Sequence, residues 1–148
     1  MFYQEEAETK NIKITLKDPR TQNAVTARPE LIRQVLMNIF DNCAKYGRYG
    51  MPVLVDQRIQ SSTGDALIEV RSTPQHQVSG DDLGRIFDLG FRGSNAKLMV
   101  ASGTGLGLHI CKQILDMYHG SLTVQIEHDS LLFTIKIPGG IKEIHRGR

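Results

Sequence analysis

The chain is short of everything that would push a protein toward an extreme partner. Its formal net charge is only +2, and its basic residues are scattered and form no stripe. Neither feature fits a nucleic-acid surface, so no nucleic acid is expected as a partner. The small basic tail at Arg146 and Arg148 is accounted for by a solvated terminus. No apolar run approaches the roughly 18 residues that cross a bilayer. The opening Met1-Phe2-Tyr3-Gln4-Glu5-Glu6 lacks the basic-then-apolar layout of a secretory leader. Two cysteines, Cys43 and Cys111, form no CxxC pair and fall inside helix-like patterns. That excludes a disulfide framework and suits buried thiols in a reducing compartment. Internal repeats, linkers and low-complexity stretches are also missing. The expectation is a soluble, cytoplasmic domain that makes no membrane contact of its own.

What is present is an ordinary globular composition, 40% hydrophobic and 23% charged over 148 residues. That is one domain, 1–148, with enough chain to bury a core. Residues 11–17 alternate, with Ile12, Ile14 and Leu16 on one face, and read as a strand. A turn at Asp18-Pro19-Arg20-Thr21 and a short strand near 23–27 lead to Pro29, well placed at the first position of a helix. The helix over about 29–47 is the clearest element. Ile32, Val35, Leu36, Ile39, Phe40 and Cys43 recur at spacings of three and four as one buried stripe. Asn38, Asn42, Lys45 and Tyr49 fall on a second stripe at the edge of the first, where a pocket wall would be. Gly47 and Gly50 are expected to end the helix.

Residues 53–60 and 66–71 read as hairpin strands joined by Ser61-Ser62-Thr63-Gly64. A short helix with an acidic first turn is expected at 81–87, then a long loop over 88–104. A helix over about 105–118, stopped by Gly120, buries Leu108, Ile110, Cys111, Ile114, Leu115 and Tyr118. Strands near 121–127 and 131–137 close the chain before Pro138-Gly139-Gly140 and a charged tail. This order suggests a two-layer α/β sandwich, a mixed and mainly antiparallel sheet with helices on one face.

Two segments carry chemistry. In Asn38-Ile39-Phe40-Asp41-Asn42-Cys43-Ala44-Lys45-Tyr46, the amide oxygen of Asn42 is a hard, neutral ligand of the kind Mg²⁺ accepts alongside phosphates and water. Lys45 can meet phosphate as a point charge. Gly103, Gly105 and Gly107 allow close backbone approach where a helix begins, and a helix N-terminus receives phosphate. Each segment alone also reads as ordinary structure: a helix with two solvated amides, and a glycine-rich start to another. No Gly-Lys-Ser/Thr comes after the glycines, so this is not a P-loop, and no buried strand runs directly into them as a dinucleotide fingerprint requires. The pairing of the two across a long loop carries the nucleotide reading.

At these residues the chain resembles the ATP-binding catalytic domain of sensor histidine kinases, the Bergerat fold. Residues 30–46 resemble the N box of that family. Arg85-Ile86-Phe87 through Phe91-Arg92-Gly93 resemble the F box, and Ser102-Gly103-Thr104-Gly105-Leu106-Gly107-Leu108 the G2 box. Ile110-Cys111-Lys112-Gln113-Ile114 and His119-Gly120 resemble the family's helix after the G2 box, and Phe133-Thr134-Ile135-Lys136-Ile137-Pro138 its last strand. The resemblance implies ATP with Mg²⁺ as cofactors and Asn42 as the Mg²⁺ ligand. It implies Asn38, Lys45 and Tyr46 facing phosphates and nucleoside, a lid over about 88–104, and the G2 residues Gly103, Thr104, Gly105, Leu106 and Gly107 binding ATP where that lid runs into the next helix. Arg92 and Lys97 are candidate lid contacts to phosphate, and read equally well as solvated surface charges. Related hydrolases carry a glutamate where this chain has Asn38. An amide is no general base, so the sequence leans toward phosphoryl transfer to a histidine.

The chain departs from the family at its G1 box, Asp-x-Gly-x-Gly, whose aspartate receives the adenine amino group. By alternation after Ile68 and Val70, Ser72 takes the aspartate position, and Pro74 and His76 replace the glycines. A neutral hydroxyl in place of a carboxylate costs on the order of 1–3 kcal/mol, roughly 5–150-fold in affinity. The phosphoacceptor histidine of the family sits on a separate helical dimerisation domain, and nothing here resembles it. The chain therefore reads as an excised piece that does not phosphorylate itself alone. Two readings stand. One is a transferase fragment of a two-component phosphoprotein, partnered by that helical domain and a response regulator, with a parent that can be membrane-anchored. The other is a degenerate, weakly binding docking module. A serine kinase of anti-sigma type fits the N box less well.

Overall fold

The computed structural model describes residues 3–18, 23–77 and 107–142. The expected helix at 81–87 and loop at 88–104, the F-box residues, and Pro19-Arg20-Thr21 lie outside the described residues, as do residues 105 and 106.

The elements run in the order α1 Tyr3–Lys10, β1 Ile14–Leu16, β2 Asn23–Ala24, α2 Pro29–Tyr46, β3 Val53–Ile59, β4 Ala66–Ser72, α3 Gly107–Met117, β5 Ser121–Glu127, β6 Ser130–Ile137 and β7 Ile141–Lys142. The main sheet has the order β1-β3-β4-β6-β5. Among the described strands only β1 and β3 run parallel, with Ile14 opposite Val53, because α2 lies between them in the chain and carries it back across the sheet. The remaining pairs are antiparallel, and β4 sits at the centre with Ser72 opposite Leu131. β2 and β7 form a separate two-stranded ribbon.

Strand alternation divides the sheet into two unlike faces. Val53, Val55, Val70, Phe133, Ile135 and Ile137 face the helices and are buried. The opposite face carries the ion pairs Arg58–Glu69 and Arg71–Glu127, both exposed enough to add little stability. From the helix side Val35, Ile39 and Cys43 of α2, and Leu108, Cys111 and Leu115 of α3, complete one core. This is the two-layer sandwich expected from the order of elements.

Four local details differ from the sequence expectation. α1 has no counterpart in that expectation, because its eight residues carry little apolar periodicity; it is held by Ala7, Lys10 and the following Ile12, all buried. β7 occupies part of what reads as a charged tail. α2 ends at Tyr46, so Tyr49 leaves the edge stripe and is 59% exposed. Gly120 is not the left-handed residue that stops α3: His119 is, at φ 57°. A side chain at Gly120 would collide with the Lys136 carbonyl, so glycine is needed there for space. α2 begins with Pro29 at its first turn, and Tyr118, just beyond α3, accepts the Arg28 N–H on its hydroxyl at 2.9 Å. That bond ties the start of α2 to the end of α3.

Candidate functional site

α2 presents its polar edge because its apolar stripe is committed to the core. Val35 and Ile39 are fully buried there, which leaves Asn38, Asn42 and Lys45 half-buried beside them. The three are successive neighbours on one side of the helix, one turn apart. α3 packs against α2 so that its first residue, Gly107, meets Asn38. The Asn38 Nδ2 donates to the Gly107 carbonyl at 3.4 Å. A Cβ built on Gly107 would stand 3.7 Å from the Asn38 Cβ, in ordinary van der Waals contact. The asparagine edge of α2 thus touches the glycine start of α3, although the two are 69 residues apart in sequence.

Asn42 lies one turn beyond Asn38 toward the C-terminal end, and its amide has no side-chain partner among the described residues. Lys45 is paired with Asp41 at 2.8 Å, at the i, i+4 spacing. Sequence reasoning missed Asp41, although an acid four residues before a lysine is itself the signal. The pair holds the Lys45 ammonium against the Asp41 carboxylate. Tyr46 closes the helix, and its carbonyl accepts the Gln75 N–H at 2.7 Å. Ser72 ends β4 on the core side of the sheet, at 4% exposure, where the Cys43 thiol is within hydrogen-bonding reach. The candidates Arg92, Lys97, Gly103, Thr104, Gly105 and Leu106 lie outside the described residues.

The segment after Ser72 is fastened to the end of α2. Gly47 and Pro74 form an antiparallel bridge, and the Arg48 N–H donates to the Thr73 carbonyl at 2.8 Å. Pro74 has no N–H to give, but its neighbours Thr73 and Gln75 carry the bonds on either side, so proline is tolerated. His76 is exposed. A cleft of about 230 Å³ opens nearby, lined by Arg48, Pro74, Ile126 and the turn between β5 and β6. None of the site residues expected from sequence lines it.

Both thiols are buried and free, and burial pushes each up to about 12. For Cys111 the Val35 carbonyl takes the thiol proton at 3.5 Å, and Asn38 is its other polar neighbour. An unfolded thiol loses its proton near pH 8.5, while the folded one holds it to about 12. Between those values the unfolded chain binds fewer protons, so stability falls as pH rises. The slope is about 1.4 kcal/mol per pH unit for each thiol. Denaturant titrations from pH 8 to 11 are expected to show this loss, and Cys43→Ala with Cys111→Ala is expected to flatten it. Equal slopes in the two proteins would contradict the assignment.

Among the described residues, no three His, Cys, Asp or Glu side chains gather as a metal site. The amide oxygen of Asn42 is a hard, neutral donor of the kind a divalent cation accepts alongside phosphate oxygens. Asn42 and the start of α3 fit such a cation, since Mg²⁺ retains water and favours phosphate oxygens.

A mixed sheet covered on one face by helices, with an asparagine edge against a glycine-opened helix, defines a two-layer α/β domain. The chain matches the model of the family described as histidine kinase-, DNA gyrase B-, and HSP90-like ATPase over residues 27–141, and it belongs to that family. It is 29% identical over 114 residues to the probable sensor kinase SilS of Salmonella typhimurium, covering 77% of this chain and 22% of that protein. It is 30% identical over 130 residues to the sensor protein KdpD of Clostridium acetobutylicum, covering 87% of this chain and 14% of that one. The chain therefore spans less than a quarter of the length of these relatives. Its fold is similar to that of a mycobacterial sensor histidine kinase, MprB, with TM-score 0.76 and 21% identity over 95% of this chain and 91% of the other. The catalytic domain of the histidine kinase ThkA, free of nucleotide, gives TM-score 0.72 and 21% identity over 93% and 87%. Among the described residues no helix is long and apolar enough to cross a membrane.

Proposed function

We propose that this chain is the ATP-binding catalytic domain of a sensor histidine kinase, which hands the γ-phosphate to a histidine on a separate helical domain. The observation that carries the reading is the contact between Asn38 and Gly107, because it sets the amide edge of α2 beside the helix start suited to receive phosphates. Asn42 would hold the Mg²⁺, and the ion when bound would supply charge neutralisation to the phosphates. Lys45, held in place by Asp41, faces the triphosphate as a point charge. Tyr46 lies against the nucleoside and Ser72 against the base. Arg92 and Lys97 meet the phosphates from the lid, and Gly103, Thr104, Gly105 and Leu106 meet them from the G2 turn.

Asn38 supports a kinase in preference to a hydrolase. Its amide accepts no proton from water, and its Nδ2 is engaged by the Gly107 carbonyl. Phosphoryl transfer needs positioning and charge stabilisation more than water activation. The partners are the helical dimerisation and phosphoacceptor domain of the parent, and a response regulator that receives the phosphate in turn. The domain works in the cytoplasm.

Calorimetric titration of the chain with Mg²⁺ and a non-hydrolysable ATP analogue tests the reading, together with spectral perturbation of the Asn38, Asn42 and Lys45 resonances. Saturable binding with shifts centred on α2 and the start of α3 is expected. Shifts confined to another face of the molecule would overturn it.

A further inference from the structure

Lys10 is the last residue of α1 and is only 7% exposed, a burial that lysine rarely accepts without partners. Its ammonium donates to the Lys45 carbonyl and stands 5.6 Å from the centre of the Tyr49 ring. Its own carbonyl accepts the Gly50 N–H at 2.8 Å. Main chain and side chain of Lys10 together clasp the segment 45–50. Below the clasp, Ile12 packs so close to Gly47 that a side chain there would strike it.

The target of the ammonium gives the clasp its meaning. The last four carbonyls of a helix lack partners within it, and the negative end of the helix dipole lies there. In α2 two of these carbonyls are taken by groups outside the helix. Lys10 takes that of Lys45, and the Gln75 N–H takes that of Tyr46. The residues so held are the ones whose side chains lie beside Asn42. Burial lowers the pKa of Lys10, and the Glu6 carboxylate offsets part of that fall.

We propose that Lys10 is a positioning residue for the nucleotide site: by capping the Lys45 carbonyl it fixes the last turn of α2 and the direction in which Lys45 faces a bound triphosphate. The consequence for nucleotide rests on the function proposed above, whereas the clasp does not. The arrangement makes α1 a control element. Displacing α1 withdraws the ammonium from α2 and loosens the grip on phosphate.

The test uses the 148-residue chain as Lys10→Met, which keeps most of the stem and removes the charge, and Lys10→Arg, which keeps the charge. Amide hydrogen exchange at Gly47, Arg48 and Gly50 is expected to quicken about tenfold in Lys10→Met, with α3 unchanged. The Mg-ATP dissociation constant is expected to rise about tenfold, the size of one charge-assisted hydrogen bond. In a Lys45→Met background the same change is expected to shift affinity less than about twofold, because the residue acted through is gone. Lys10→Arg is expected to stay within about threefold of the parent chain. Unchanged exchange at residues 47–50 would overturn the clasp. An equal loss of affinity with and without Lys45 would overturn positioning through it. Quickened exchange in a chain that binds no Mg-ATP would leave the clasp standing and overturn the nucleotide reading instead.

Discussion

Asn42→Ala is expected to weaken Mg-ATP binding by about 100-fold or more while shifting the melting temperature by no more than a few degrees. The size rests on the chemistry of the ligand set. Losing a group that merely orients a metal ligand costs about 10–100-fold, and Asn42 is proposed as the ligand itself. The small structural cost comes from its place. Asn42 is half-buried at the edge of α2 with no side-chain partner among the described residues, so truncation opens no cavity and strands no buried group. Alanine is also the better helix former, by up to about 0.7 kcal/mol. Calorimetry with and without Mg²⁺ gives the sharpest reading: the variant is expected to bind ATP almost indifferently to the ion. Binding within about threefold of the parent chain, still sensitive to Mg²⁺, would assign the metal to another residue. Asn38→Ala makes the contrast. It removes the bond to the Gly107 carbonyl, so it is expected to disturb the packing of α3 on α2 as well as the site.

Legibility in the sequence tracks the strength of each local signal. α2 is readable because Val35, Ile39 and Cys43 repeat at helical spacing with Pro29 at the start, and its polar edge comes with that stripe. The β3–β4 and β5–β6 hairpins are readable from alternation. α1 is not, because a helix that buries little more than Ala7 and Lys10 is stabilised by what it docks on, and no local pattern records that. Lys10 is hidden for the same reason. In sequence it is one more charged residue ahead of the first expected strand, and only the fold brings the Lys45 carbonyl to it across 35 residues. β7 is two residues long and exists only through its register with Asn23 and Ala24. Asp41 is legible at four residues before Lys45, but the amides around it carry the stronger chemical signal and mask it. At the end of α3 a histidine and a glycine stand in succession and either could serve as the left-handed residue; propensity favours the glycine, and the fold uses the histidine.

Ser72→Asp is expected to tighten Mg-ATP binding by roughly 5–150-fold, provided that Cys43 is replaced by alanine in the same chain. The gain is the difference between a neutral and a charge-assisted hydrogen bond to the amino group of the base. The condition comes from the surroundings of Ser72. It is 4% exposed, on the same side of β4 as Val70, with the Cys43 thiol as its polar neighbour. A carboxylate added there without ligand would be dry and unpaired. Such a group raises its own pKa or destabilises the fold, so the single variant loses part of its gain before ATP arrives. Removing the Cys43 sulfur gives the larger side chain room. The fastening of residues 73–75 to α2 runs through backbone groups and stays intact in either variant. The expected pattern is therefore a less stable apo protein with a larger rise in melting temperature on adding ATP, because a ligand stabilises only the state it binds. Weaker or unchanged ATP affinity in the double variant, with the fold preserved, would mean that the base does not approach Ser72. The neutral residue there would then be a core hydroxyl serving Cys43, and the weak point of the nucleotide site would have to be sought elsewhere along the edge of α2.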